Sequence, residues 1–189
     1  MKTSFIISSV AALLLSSSMA LASTYKVDTA HSGVEFKIKH MMISNVKGNF
    51  KTFDGSFDFD NGQITAINGS IDVASIDTDN EKRDAHLTSS DFFDATNNPK
   101  MTFKAISVHN DKVIGALTIK GITKEVTFDL EVGGAVKDPW GNQRAGLTLT
   151  GTIDREDFGL TWNKALETGG VVVGKKVTLV AELEGILAQ

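Results

Sequence analysis

The chain has 189 residues, no cysteine, and 19 basic against 23 acidic side chains, for a formal net charge of −4. Without cysteine a disulfide scaffold is excluded, so the fold must rest on hydrophobic burial and hydrogen bonding. Acids and bases are interspersed, and the overall charge argues against nucleic acid or an anionic lipid surface as a partner.

The chain opens with Lys2, an apolar stretch from Phe5 to Leu15, the polar residues Ser16 to Ser18, and Ala20-Leu21-Ala22. This order reads as a secretion signal cleaved before Ser23. The apolar stretch falls short of the roughly 20 residues a membrane-spanning helix needs. A lipid-anchored N-terminus is the competing reading, and it lacks a cysteine to modify. The expectation is therefore a soluble, exported protein with one domain over residues 23–189.

From residue 34 the sequence alternates. Val34, Phe36, Ile38, His40 and Met42 share one parity, while Glu35, Lys37 and Lys39 take the other, as in a strand with one face inward. Val46, Gly48 and Phe50 continue the inward row, and Phe53, Gly55, Phe57 and Phe59 resume it after a phase shift. One long strand with a bulge near Lys51–Thr52 is predicted. The Asp60-Asn61-Gly62 turn leads to Ile67, Gly69, Ile71 and Val73.

Later rows are Met101, Phe103 and Ala105, then Val113, Gly115, Leu117 and Ile119, then Val126, Phe128, Leu130 and Val132. Turns at Asn110-Asp111 and Lys120–Thr123 separate them. Leu147, Leu149, Gly151 and Ile153, then Val177, Leu179, Ala181 and Leu183, complete eight runs, with Glu182 and Glu184 outward. The short connections call for an all-β, eight-stranded antiparallel barrel in up-and-down order. Only the connection between the third and fourth strands is long. It carries a short α-helix over Asn80–Leu87, capped by Thr78 or Asp79, and then Asp91-Phe92-Phe93-Asp94, placed over one barrel end.

Five inward positions are glycine: 48, 55, 69, 115 and 151. They either relieve strain in coiled strands or vacate the lumen; taken together they predict an apolar channel suited to an elongated ligand. His40 is read either as a contact for a ligand's polar head or as a rim histidine bonded to backbone carbonyls. Arg83 with Asp84, and Arg155 with Asp157, are expected as structural ion pairs. Phe92, Phe93, Phe158 and Trp162 form either an apolar mouth or plain core, and Lys164–Gly174 reads as a flap beside it. The four histidines lack metal-ligand spacing, and no nucleophile elbow, phosphate loop or dinucleotide fingerprint is present.

Tyr25-Lys26-Val27-Asp28 with His31-Ser32, Arg83-Asp84-Ala85-His86-Leu87 with Asp91-Phe92-Phe93-Asp94, and Pro99-Lys100-Met101-Thr102-Phe103 together resemble the YceI family of lipocalin-like proteins. Gly115–Lys124 and Arg155-Glu156-Asp157-Phe158-Gly159 extend the resemblance over nearly all of the chain after residue 22. It implies an eight-stranded lipocalin-like barrel whose lumen holds a polyisoprenoid, an isoprenoid quinone or a fatty amide, commonly in the periplasm, with no catalytic residue and no cofactor beyond that ligand. The expected ligand contacts are Phe36, Ile38, His40, Met42, Phe50, Phe57, Ile71, Phe92, Phe93, Phe103, Leu117, Ile119, Phe128, Leu149, Phe158, Trp162 and Leu179. Two other readings stay open: an enzyme acting on such a lipid through Arg83, Asp84 and His40, or a monomer or homodimer whose helix and Phe92-Phe93 surface meet a membrane protein.

Overall fold

A computed structural model describes residues 23–167 and 169–188; the predicted export signal, residues 1–22, lies outside the described residues. The strands are β1 Ser23–Val27, β2 Gly33–His40, β3 Ser44–Phe50, β4 Phe53–Asp60, β5 Gln63–Asp72 and β6 Ile76–Asp77. After helix α1, Glu81–Thr88, come β7 Lys100–His109, β8 Lys112–Ile119, β9 Ile122–Lys137, β10 Gln143–Asp154 and β11 Val173–Leu187.

These segments form eight lines of chain in a closed antiparallel barrel. β1 and β2 make the first line, interrupted by a 3-10 turn at Thr29–His31 that the Asp28 side chain caps. β3 and β4 make the second. β5, β7, β8, β9, β10 and β11 are the rest, and β11 closes the ring by pairing with β1 through Gly185–Leu187 and with β2 through Val177–Glu182.

The expected phase shift at Lys51–Thr52 is a kink between β3 and β4. The Lys51 amide donates to the Ser75 carbonyl (3.1 Å) and the Thr52 amide to Ser75 Oγ (3.0 Å). Phe50 and Phe53 thereby both turn inward, and β6 pairs beside Phe50. Asn61-Gly62 (φ +48° and +82°) and Lys120-Gly121 (φ +50° and +73°) close two-residue hairpins. Left-handed backbone at both central residues matches the twist of the flanking strands.

The core has two centres. Tyr25, Phe57, Ile64, Val113, Leu130, Ala145 and Leu147 pack one end of the barrel solid. Phe50, Val73, Ile76, Met101, Ile119, Ile153, Phe158 and Leu160 pack around the other end, beneath the long connection. β1 is absent from the sequence-based strand count, yet its Tyr25 is 5% exposed and stacks on Phe57, ring centroids 5.7 Å apart.

Three of the five inward glycines are seats for aromatic rings. A Cβ at Gly48 would stand 2.5 Å from Phe36, one at Gly115 would stand 2.3 Å from Phe103, and one at Gly151 would stand 2.4 Å from Phe128. The rings thus lie along the wall over a neighbouring strand instead of projecting across the barrel. This corrects the expectation that missing side chains by themselves empty the lumen. Gly55 and Gly69 face each other across β4 and β5. At Gly69 the only atom near an added Cβ is the Asp54 carbonyl oxygen, 3.4 Å away, and this position does open onto free space.

Candidate ligand cavity

Between the two packed centres lies a cavity of about 380 Å³ that continues to the barrel end carrying α1. Its wall is almost wholly apolar. Val34, Phe36, Ile38, Val46, Phe53, Ile71, Val177 and Leu179 all point inward and yet remain only half-buried, because the space they face is not filled by other side chains.

Of the residues expected from sequence, Phe36, Ile38, His40, Phe50, Ile71, Phe92, Phe93, Phe103, Leu117, Ile119, Phe128, Leu149, Trp162 and Leu179 line this cavity. Three do not. Met42 sits in the β2–β3 turn with φ +64° and is 58% exposed, because the alternation stops at His40. Phe57 and Phe158, each 1% exposed, are fully enclosed in the two packed centres. Wall residues outside the expected set include Val46, Phe53, Ile67, Met101 and Val177. Their parity already marked them as inward. Leu87 on α1, Val172 just before β11 and Val173 at its first position carry no mark of alternation.

Polar groups gather at the mouth. Asn80 caps α1 by accepting a hydrogen bond from the Arg83 amide (3.0 Å), one residue beyond the expected cap. Thr78 is instead the anchor of the helix. Arg83 Nε donates to Thr78 Oγ1 (2.7 Å), its Nη2 donates to the Thr78 carbonyl (2.6 Å), and Thr78 Oγ1 donates to Asp84 (2.5 Å). Arg83 and Asp84 therefore meet through a threonine and do not form the direct pair predicted. His86 packs edge-on against Phe92 (5.1 Å) and Trp162 (4.9 Å), and hydrogen-bonds Asp91 (3.2 Å).

Arg155 is 2% exposed and also touches the cavity. Its Nε donates to the Gly174 carbonyl (2.8 Å), and its other nitrogens donate to the carbonyls of Leu160 and Val173. The nearest acid is Glu156 at 3.9 Å, in place of the expected Asp157. Burial pushes this guanidinium below the ordinary arginine pKa, against the opposing pull of Glu156 and Asp154. The segment predicted as a flap is a small hairpin closed by an Ala165–Val171 bridge. The Asn163 side chain ties it down, bonding both the amide and the carbonyl of Val173. The His40 ring, half-buried at the rim, makes no hydrogen bond among the described residues, so it keeps a free donor and acceptor facing the mouth.

A second polar cluster lies outside the cavity. Asp28, His31 and Glu184 bring ligand atoms within 4.8 Å of one another, a spacing that can suit a metal ion. Here Arg144 serves as the cation: its Nη1 donates to Asp28 (2.8 Å) and Glu184 (2.5 Å), and its Nε donates to Asp138 (2.8 Å).

A family model described as the YceI-like domain matches residues 25–185. The chain belongs to the YceI-like family. A UPF0312 protein of Staphylococcus epidermidis is 47% identical over 163 residues, which span 85% of this chain and 95% of that protein. Among solved structures, the YceI protein of Campylobacter jejuni superposes with a TM-score of 0.68 at 36% identity, covering 81% of this chain and 91% of that one. BcnA of Burkholderia cenocepacia gives 0.69 at 28% identity, over 84% of this chain and 98% of its own. A domain from Saccharophagus degradans, described as polyisoprenoid-binding, gives 0.65 at 13% identity, over 89% of this chain and 100% of that one, a likeness of fold alone. The fold of this YceI-like chain is thus shared with solved structures of similar sequence.

Proposed function

We propose that the protein binds and carries a long apolar amphiphile in the periplasm: a polyisoprenoid, an isoprenoid quinone or a fatty amide, its tail in the lumen and its polar end at the mouth. The observation that carries this reading is the wall itself. Its inward residues are apolar, one end is packed shut, and Arg83, His86 and His40 stand at the open end. A volume of about 380 Å³ falls among small-molecule sites, which are roughly 300–1,000 Å³. At about 0.8 kcal/mol per buried methylene, ten carbons contribute about 8 kcal/mol, comparable with the ordering cost of association. The likeness to a domain described as polyisoprenoid-binding supports the same ligand class.

The test is mass spectrometry of lipid extracted from protein purified out of its native periplasm. A stoichiometric lipid is expected, and it should be lost in Gly69→Leu, whose new side chain projects into the free space beside Ile67 and Ile71. An empty wild-type lumen, or the same lipid retained at full occupancy in Gly69→Leu, would overturn the proposal.

A further inference from the structure

We infer that the β2–β3 hairpin is a membrane-docking finger that sets the cavity mouth against an anionic bilayer. Its tip is Met41-Met42-Ile43, with exposures of 41%, 58% and 83%. Three consecutive large apolar residues at a turn are unusual for a surface that meets only water. The tip is also held in shape. Met41 and Met42 have left-handed φ values of +49° and +64°, rare for residues other than glycine. The Met41 amide donates to the Val172 carbonyl (2.8 Å), and the Ile43 amide to the His40 carbonyl (3.1 Å).

The hairpin's outward face supplies the charge. Lys37 stands directly opposite Lys47, and Lys39 opposite Asn45. All three lysines are exposed, and none is in an ion pair among the described residues. Like charges facing each other across a strand pair repel, and an anionic surface relieves that repulsion. Glu35 is the only acid between residues 33 and 50. The adjoining loop adds Lys164 and Glu167, which offset each other. The chain's overall negative charge argues against such a surface, but locally the hairpin reverses it. The finger also adjoins the lumen: Lys39, His40 and Val172 line the cavity directly behind the tip. An apolar ligand leaving a bilayer pierced by Met42 and Ile43 would reach the mouth without crossing water. That purpose rests on the lumen being a lipid site; the docking itself does not.

The experiment is flotation with vesicles of phosphatidylcholine, alone or mixed in equal parts with phosphatidylglycerol. The wild-type protein should float with the mixed vesicles and not with phosphatidylcholine alone. Lys37→Gln with Lys47→Gln should weaken association by about fivefold per lysine, and Met42→Ser with Ile43→Ser by about tenfold or more. Since all four side chains are exposed, these variants should keep the wild-type circular dichroism. Gly69→Leu, with its lumen filled, should float like wild type, which separates docking from ligand uptake. Equal flotation of the tip variant and wild type, binding indifferent to phosphatidylglycerol, no binding to either vesicle, or loss of binding in Gly69→Leu would each overturn the inference.

Discussion

Replacing Gly115 by alanine places a methyl group 2.3 Å from the Phe103 ring and 3.0 Å from the Lys104 carbonyl oxygen. The first distance is intolerable and the second tight, so the ring must leave its seat. Phe103 packs against both core centres and the Phe128 ring, at 5.4 Å, leaving it no free place except the lumen. Overpacking of this kind costs about 1–3 kcal/mol. Gly69→Ala is the matched control, because its methyl meets only the Asp54 carbonyl oxygen at 3.4 Å. Both substitutions stiffen the unfolded chain to the same degree, so the difference between them isolates the lost ring seat. For a chain of this size Gly115→Ala should melt about 2–12 °C below Gly69→Ala, read by circular dichroism on lipid-free protein. Adding Phe103→Leu to Gly115→Ala should cost less than it does in the wild-type background, since the clash is then already relieved. If the two glycine variants melt together, or Phe103→Leu costs the same in both backgrounds, the glycines are not ring seats.

Two further outcomes follow from the polar clusters. Arg155→Met should lower stability in urea unfolding by about 2 kcal/mol or more, since the carbonyls of Leu160 and Gly174 lose their donor while that of Val173 keeps Asn163. Arg155→Lys should rescue little of it, because an ammonium does not reproduce the guanidinium fork. Hydrogen bonds from Arg144, then from His31, hold Asp28 at about 2, below its ordinary 3.8. A carboxylate with a depressed pKa contributes stability that is fully present above its unfolded value and is lost as pH falls through the folded one. Melting temperatures should therefore drop between about pH 4 and pH 2, and Asp28→Asn should flatten that drop; an unchanged acid limb would remove Asp28 from the account.

Strand alternation made the eight lines and most of the wall legible, because a period of two assigns each residue to a face without knowledge of its partners. It failed where the period is broken. β1 is five residues long and contributes only Tyr25 and Val27 to the inward row, too little pattern to stand out beside the export signal. Met42 followed the parity of β2 on paper, but the chain had already entered a left-handed turn. Phe57 has the inward parity and Phe158 the apolar character expected of a wall residue, but neither property tells a residue facing a gap from one enclosed by other side chains. Glycine at inward positions is exceptional in the sequence, whereas its purpose at Gly48, Gly115 and Gly151 depends on rings across the sheet. Arg83 and Arg155 sit beside acids in sequence but bond a threonine and backbone carbonyls, partners that local spacing does not reveal.

The barrel is packed solid at one end, while between its two packed centres inward side chains face a cavity that no other side chain fills. A lipid in the lumen would supply the missing share and raise the unfolding free energy in proportion to the logarithm of its concentration over its Kd. Loaded and empty molecules would then differ in lifetime under proteolysis, and the population would be sorted by its cargo. Hydrogen exchange should show the same asymmetry: slow amides around Tyr25 and Leu147 irrespective of loading, and amides of β2 and β3 that slow only once the lumen is filled.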